Sequence, residues 1–196
     1  MTIISFPDKV AVIFDAENVR KGATGGLPFG LSYDDVRIDF GRLADAIAAK
    51  RNRPSVVTAI EVHTSIPDRF RQPRAFAYAT AQQRDWARDP RVTVFARPLA
   101  YRPDGTARQK GVDSATARGM RTHRVSGAVD AVVLATADRD LEPDIEEALT
   151  TAGARIESAC WITQKALFVA AGGRTLWNHD LDELDLRLCS VAGRAA

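Results

Sequence analysis

The chain has 196 residues, of which 45% are hydrophobic and 27% are charged, and its formal net charge is +2. This composition is typical of one globular domain and excludes a disordered chain. No apolar run approaches the roughly 20 residues that cross a bilayer, residues 1–9 lack a signal-peptide pattern, and two cysteines make no disulfide framework, so we expect a cytoplasmic protein without membrane contact.

The first strand of the chain is also its most informative segment. Residues 10–14 are continuously apolar, which predicts a strand buried on both faces of a sheet. Asp15 follows at once, and Asn18 comes three residues later. In open α/β sheets ligands bind beyond the carboxyl ends of the strands, so Asp15 falls where a functional site is expected. The alternative is that Asp15 and Asn18 only cap the turn that leaves the strand.

The segment that follows, residues 21–32, is rich in glycine and contains one proline. This composition predicts a mobile loop beside the Asp15 end of the sheet. Leu27, Phe29 and Leu31 within it are expected either to pack on the first helix or to touch substrate bases. Neither a phosphate-binding P-loop nor a dinucleotide-binding glycine fingerprint follows the strand, which argues against a nucleotide cofactor.

The remaining chain alternates helical and strand patterns, which is typical of a parallel α/β sheet. The apolar positions that predict a first amphipathic helix are Val36, Phe40, Leu43 and Ile47. Later strands are predicted at 55–62, 91–96, 131–135 and 154–159, helices at 69–88 and 110–123 and after residue 140, and a polar loop or hairpin at 101–109.

The predicted fold class is therefore α/β, with a mainly parallel central sheet of about five strands. Residues 1–162 are expected to form the main domain, and residues 163–196 an extension packed on it. In that extension Leu167 and Phe168 suggest a short helix that ends at Gly172 and Gly173, and residues 180–186 suggest an edge strand or a last helix.

Carboxylates recur at equivalent points of this pattern. Asp138 and Asp140 follow the fourth strand, and Asp113 opens the helix that precedes it. If the first and fourth strands are neighbours, these groups meet Asp15 at one edge of the sheet. Clustered carboxylates raise one another's pKa unless a cation neutralises them, and Mg²⁺ or Mn²⁺ prefers such oxygen ligands. The alternative is that each carboxylate separately caps a helix or a turn.

Other polar residues give weaker signals about partners. Of the 27 basic residues 22 are arginine, whose planar guanidinium suits phosphate, although arginine is also an ordinary solvated surface cation. His63, His123 and His179 lack the spacing of zinc ligands. We expect His63 and His123 to be ordinary surface or half-buried residues.

Three segments, taken in order, resemble the NYN domain, a branch of the PIN-like nucleases. In that family a first strand ends in D-x-x-N, a central K-G-x-D opens a helix, and S/T-G-D-x-D-F follows a later strand. Here these segments are Asp15-Ala16-Glu17-Asn18, Lys110-Gly111-Val112-Asp113 and Thr136-Ala137-Asp138-Arg139-Asp140-Leu141. The agreement in order, spacing and structural context extends over residues 8–160.

The resemblance implies a three-layer α/β/α PIN-like fold and an endoribonuclease that depends on Mg²⁺ or Mn²⁺. The implied metal ligands are Asp15, Asp113, Asp138 and Asp140, and these with Asn18 form the implied catalytic set. Asn18 would position a metal ligand, water or phosphate, and Thr136 would support the edge of the site. The implied contacts to the RNA substrate are Lys110, Thr136, Arg139, Arg108 and Arg118, with Arg97 as a further candidate.

The chain departs from the family pattern at four positions, which are Ala137, Arg139, Leu141 and Gly119, the last where many relatives carry a second helix acid. Gly119 and Arg139 favour an alternative function, a catalytically impaired PIN-like module that binds RNA or a protein partner. A haloacid-dehalogenase-type phosphatase is a second alternative, but Asn18 stands after Glu17 where such enzymes have Thr or Val. A homodimer and a protein regulator stay open.

Overall fold

The computed structural model describes residues 6–25 and 36–190. Its strands are β1 (Asp8–Asp15), β2 (Ser55–Ile66), β3 (Val92–Pro98), β4 (Ala100–Tyr101), β5 (Ala107–Arg108), β6 (Ala131–Ala135), β7 (Arg155–Trp161), β8 (Ala170–Ala171), β9 (Arg174–Thr175) and β10 (Trp177–Leu181). Its helices are α1 (Ala16–Thr24), α2 (Phe40–Ala49), α3 (Pro73–Trp86), α4 (Val112–Val125), α5 (Glu142–Thr150) and α6 (Glu183–Cys189). A short 3-10 turn, Arg139–Leu141, precedes α5.

The central sheet has six parallel strands in the order β10-β7-β6-β1-β2-β3. The α/β class and the parallel sheet are confirmed. The sheet is larger than the expected five strands because residues beyond 162 supply β10, which pairs with β7. The same segment continues into α6, so it provides both an edge strand and a last helix.

Each face of the sheet is covered by helices over its own apolar core. Val12 and Phe14 of β1 face a core that includes Leu43 of α2. The alternate residues of β1, Ala11 and Ile13, face a second core. In that core the helical residues include Met120 of α4 and Ile145 of α5. The apolar run of residues 10–14 is fully buried because both faces of β1 are covered.

Two local predictions were wrong. Residues 21–24 are not loop but the last turn of α1, because Val19 and Ala23 of that helix bury apolar surface in the core. The short helix expected near Leu167 does not form, and a hairpin of β8 and β9 follows instead, with Gly172 and Gly173 at positive φ in its turn. The prediction for Leu27, Phe29 and Leu31 lies outside the described residues. No helix in the described part of the chain is long and apolar enough to cross a membrane.

Candidate metal centre

Asp15 occupies the junction between β1 and α1. It is the N-cap of α1, and its Oδ1 accepts hydrogen bonds from the backbone N–H groups of Glu17 and Asn18, both at 3.1 Å. The residue is only 4% exposed. Burial, and after it the charges of Asp113 and Asp138, raise the pKa of Asp15 to about 6. The capping that the sequence offered as an alternative interpretation of Asp15 is therefore observed.

Asp113 and Asp138 reach Asp15 from two other elements. Asp113 lies in the first turn of α4, which starts after Gly111 at φ 77°. Asp138 follows β6, the neighbour of β1 in the sheet, and its Oδ1 accepts from the N–H of Asp140 at 3.0 Å. One carboxylate oxygen from each of the three aspartates lies within 4.8 Å of the others. The group could therefore hold a divalent cation. Burial, followed by the charges of Asp138 and Asp140, raises the pKa of Asp113.

Asn18 holds the loop that carries Asp138. Its Oδ1 accepts from the backbone N–H of Ala137 at 2.9 Å and from Nε2 of Gln164 at 3.1 Å. Thr136 is buried, and its Oγ1 accepts from the N–H of Asp138 at 3.1 Å. These bonds fix the strand-end loop against α1. Gln164 was missed in the sequence because the segment after residue 162 carries no recognisable motif.

The other predicted site residues lie at the surface. Asp140 is exposed and is outside the group of three aspartates whose oxygens meet. Arg139 is exposed as well, and its Nε donates to Oε1 of Glu142 at 2.9 Å, so its guanidinium is bound outside the acidic group. The remaining predicted RNA contacts that are exposed are Lys110, Arg108 and Arg118. Their contact with RNA stays a prediction.

A second polar cluster, formed by Glu61, His63 and His123, was not predicted. Glu61 of β2 lies with Oε2 2.9 Å from Nε2 of His63 and with Oε1 2.9 Å from Nε2 of His123 on α4. His63 is only 3% exposed, so the expectation of a surface or half-buried histidine was wrong for it. Although burial raises the pKa of Glu61, the bonds from His123 and His63 outweigh it and lower the pKa to about 2.

Gly119 of α4 lies directly against this cluster. A Cβ at this position would come 2.2 Å from Oε2 of Glu61 and 3.3 Å from Nε2 of His63. The helix position at which the resemblance leads one to expect an acid is thus filled by a carboxylate from the neighbouring strand. A side chain at position 119 would therefore require the Glu61 carboxylate to move.

Comparisons with known proteins add little to this geometry. No family model and no curated protein matches the chain. Among solved structures it is similar to a protein of unknown function from Vibrio parahaemolyticus, with 17% identity over 78% of this chain and 81% of that chain and a TM-score of 0.49. A likeness at this level carries no functional argument, so function has to be inferred from the site itself.

Proposed function

We propose that the protein is a metal-dependent endoribonuclease that hydrolyses RNA phosphodiester bonds at Asp15, Asp113 and Asp138. The observation that carries the proposal is the convergence of three carboxylates from three separate elements, with oxygens within 4.8 Å of one another. A parallel α/β sheet with such a triad is consistent with the NYN and PIN-like pattern of the motifs.

The donor set fits a hard divalent cation. All three groups are carboxylates, and oxygen ligands suit Mg²⁺ and Mn²⁺, whereas zinc sites favour histidine and cysteine. Burying Asp15 beside two further carboxylates is costly for its charged form, as its raised pKa indicates. A bound cation removes that cost, because it favours the ionised state of all three groups.

In two of these aspartates the backbone hydrogen bonds go to one carboxylate oxygen only. Both backbone bonds of Asp15 go to Oδ1, and the N–H of Asp140 bonds to Oδ1 of Asp138. The Oδ2 atoms of both side chains are left by these bonds for another partner. A divalent cation held there would supply water activation and would stabilise charge on the phosphate. Asn18 fixes the relative position of the two carboxylates through its bond to Ala137.

The alternative is a module that binds RNA or a protein without cutting RNA. The alternative is favoured because only three of the four implied metal ligands come together, and Asp140 lies outside that group. Gly119 offers no side chain to it either. Arg139 gives this alternative less support, since its guanidinium binds Glu142 and does not replace a cation among the aspartates.

The test is a titration of Mg²⁺ and Mn²⁺ on single-stranded and structured RNA. We expect internal cleavage that depends on the cation and is lost in EDTA and in Asp15→Asn and Asp138→Asn. A matched control is Asp85→Asn, since Asp85 is an exposed residue of α3 paired with Arg88, and this variant should cleave like the parent. Cleavage by Asp15→Asn at the parent rate would contradict the proposal. RNA binding with no cleavage in either metal would support the alternative.

A further inference from the structure

Phe95 of β3 lies level with Asp15 on the same face of the sheet. In the strand registers Asp15 is opposite His63, and His63 is opposite Phe95. Residues opposite one another in neighbouring parallel strands point to the same face, and adjacent strands are about 4.8 Å apart. The backbone of Phe95 is therefore roughly 10 Å from that of Asp15.

The ring of Phe95 is supported from within the protein but still open to solvent. It stacks on the imidazole of His63 with a centroid distance of 5.0 Å and an interplanar angle of 11°. His63 is buried and held by Glu61, so the support is fixed. Phe95 itself stays 42% exposed because β3 is the edge strand of the sheet. A large aromatic side chain is thus presented beside the acidic group.

Arg97 provides positive charge next to this ring. It is two residues after Phe95 in β3 and so points to the same face. A Cβ at Gly111 would lie 3.8 Å from Nη1 of Arg97, which places the guanidinium at the start of α4, two residues before Asp113. The buried Nε of Arg97 has no hydrogen-bond partner among residues 6–25 and 36–190. The surface therefore combines an exposed ring and a cation beside a group of carboxylates.

We propose that Phe95 is a base-stacking subsite for single-stranded RNA. An unpaired base next to the phosphate at the aspartates stacks on Phe95, and Arg97 binds a neighbouring phosphate. The inference rests on the proposed nuclease function and adds to it the conformation of the substrate. Aromatic rings stack on any exposed base face, whereas bases inside a duplex are already paired and stacked. The subsite selects unpaired RNA without selecting a sequence.

The experiment uses the full chain and a short single-stranded oligoribonucleotide that carries 2-aminopurine, with a duplex of the same sequence as comparison. Binding is measured in Ca²⁺, and a gel confirms that the RNA stays intact. Phe95→Leu should weaken single-strand binding about tenfold and abolish the quenching of 2-aminopurine. Phe95→Trp should bind as tightly as the parent or more tightly. The matched control is Phe6→Leu, because Phe6 is 85% exposed and lies just before β1, at the end of that strand opposite to Asp15.

The outcomes separate this subsite from the proposed chemistry. The subsite is overturned if Phe95→Leu binds the single strand like the parent, if Phe95→Trp binds much more weakly, or if duplex binding falls by the same factor. It is also overturned if the parent does not bind single-stranded RNA. If the parent binds through Phe95 but never cleaves RNA in Mg²⁺ or Mn²⁺, the proposed hydrolysis fails while the stacking subsite is supported.

Discussion

Two buried carboxylates, one on each face of the sheet, have opposite surroundings and opposite shifts in pKa. Glu157 of β7 is 7% exposed and Asp15 is 4% exposed. Glu157 is bound by Arg51 through two contacts of 2.9 and 2.8 Å and by Nε2 of His179 at 2.8 Å. Burial raises the pKa of Glu157, but the bonds from His179 and Arg51 outweigh it and bring the pKa to about 2, whereas that of Asp15 is about 6.

The difference between the two regions lies in their partners and not in their burial. At Glu157 the chain provides its own cation, so the ionised carboxylate is stabilised wherever the fold is intact. At Asp15 the charges that shift the pKa belong to two more carboxylates, and both raise it. A strongly perturbed group with like-charged neighbours is characteristic of functional sites. The first arrangement stabilises the fold, and the second leaves room for a ligand of opposite charge.

Removing the cation at Glu157 should have the largest effect on stability. Arg51→Met leaves Glu157 buried without its guanidinium, and we expect the free energy of unfolding to fall by about 3–5 kcal/mol. Urea unfolding at pH 7 measures it. Arg155→Met is the matched control, because Arg155 contacts Asp8 from an exposed position and should cost less than about 1 kcal/mol. Equal losses in the two variants would remove the distinction drawn for Arg51.

Neutralising Asp15 should have the opposite effect on the free energy of unfolding and increase it. The pKa of Asp15 in the folded protein, about 6, is above its ordinary value of 3.8. Between these values the folded state keeps a proton that the unfolded state has lost, so stability falls as the pH rises from about 4 to about 6. The penalty above pH 6 is of the order of 3 kcal/mol. Asp15→Asn removes this penalty and keeps the helix cap, since asparagine is also a good N-cap residue.

The measurement is urea unfolding in EDTA at several pH values. We expect Asp15→Asn to be more stable than the parent at pH 8 and nearly equal to it at pH 4. Glu157→Gln provides the direct comparison, because the same chemical change there removes the carboxylate that Arg51 binds through two contacts and leaves it only Asp8 at 3.2 Å, so it should destabilise the protein at pH 8. If Asp15→Asn is also destabilised at pH 8, the charged form of Asp15 stabilises the fold, as that of Glu157 does, and the contrast between the two is wrong.

The sequence revealed Asp15, Asp113 and Asp138 because each belongs to a local pattern. Asp15 ends an uninterrupted apolar strand, and the other two open a helix or a turn in recognisable motifs. The meeting of Asp15 and Asp138 required only that β1 and β6 be neighbours, which is a common arrangement in α/β sheets and is observed here. That of Asp113 depends also on where α4 begins beside these strands.

The cluster around Glu61 could not be predicted in this way. His123 is 62 residues away in the chain, and their contact depends on how α4 lies across β2. No periodicity within either element encodes that crossing. The helical end of α1 was missed for a similar reason. Its glycines predicted a loop locally, but Val19 and Ala23 are buried by tertiary packing that a local pattern does not contain.

Adding Mg²⁺ should give Asp15 a neighbouring positive charge, as Arg51 does for Glu157, and should therefore stabilise the folded protein. A ligand at ten times its dissociation constant stabilises the folded state by about 1.4 kcal/mol, which corresponds to a rise of roughly 3–5 °C in Tm for a chain of this size. Differential scanning fluorimetry at pH 8 measures it. The rise should vanish in Asp15→Asn and persist in Arg155→Met. A rise that NaCl of equal ionic strength reproduces would indicate charge screening and would count against a bound cation.

The smallest expected effect concerns Glu61, a half-buried carboxylate. It is bound by two histidines and in this respect resembles Glu157. Alanine is normally favoured over glycine within a helix by about 1 kcal/mol. In Gly119→Ala, however, the new Cβ would meet Oε2 of Glu61 at 2.2 Å. Overpacking typically costs about 1–3 kcal/mol, so we expect a net loss of about 1 kcal/mol in urea unfolding.

The same substitution in a Glu61→Ala background should stabilise the protein, because the clashing oxygen is gone and only the helix preference remains. Equal effects in the two backgrounds would show that Gly119 is not fixed by Glu61, since independent sites give additive changes.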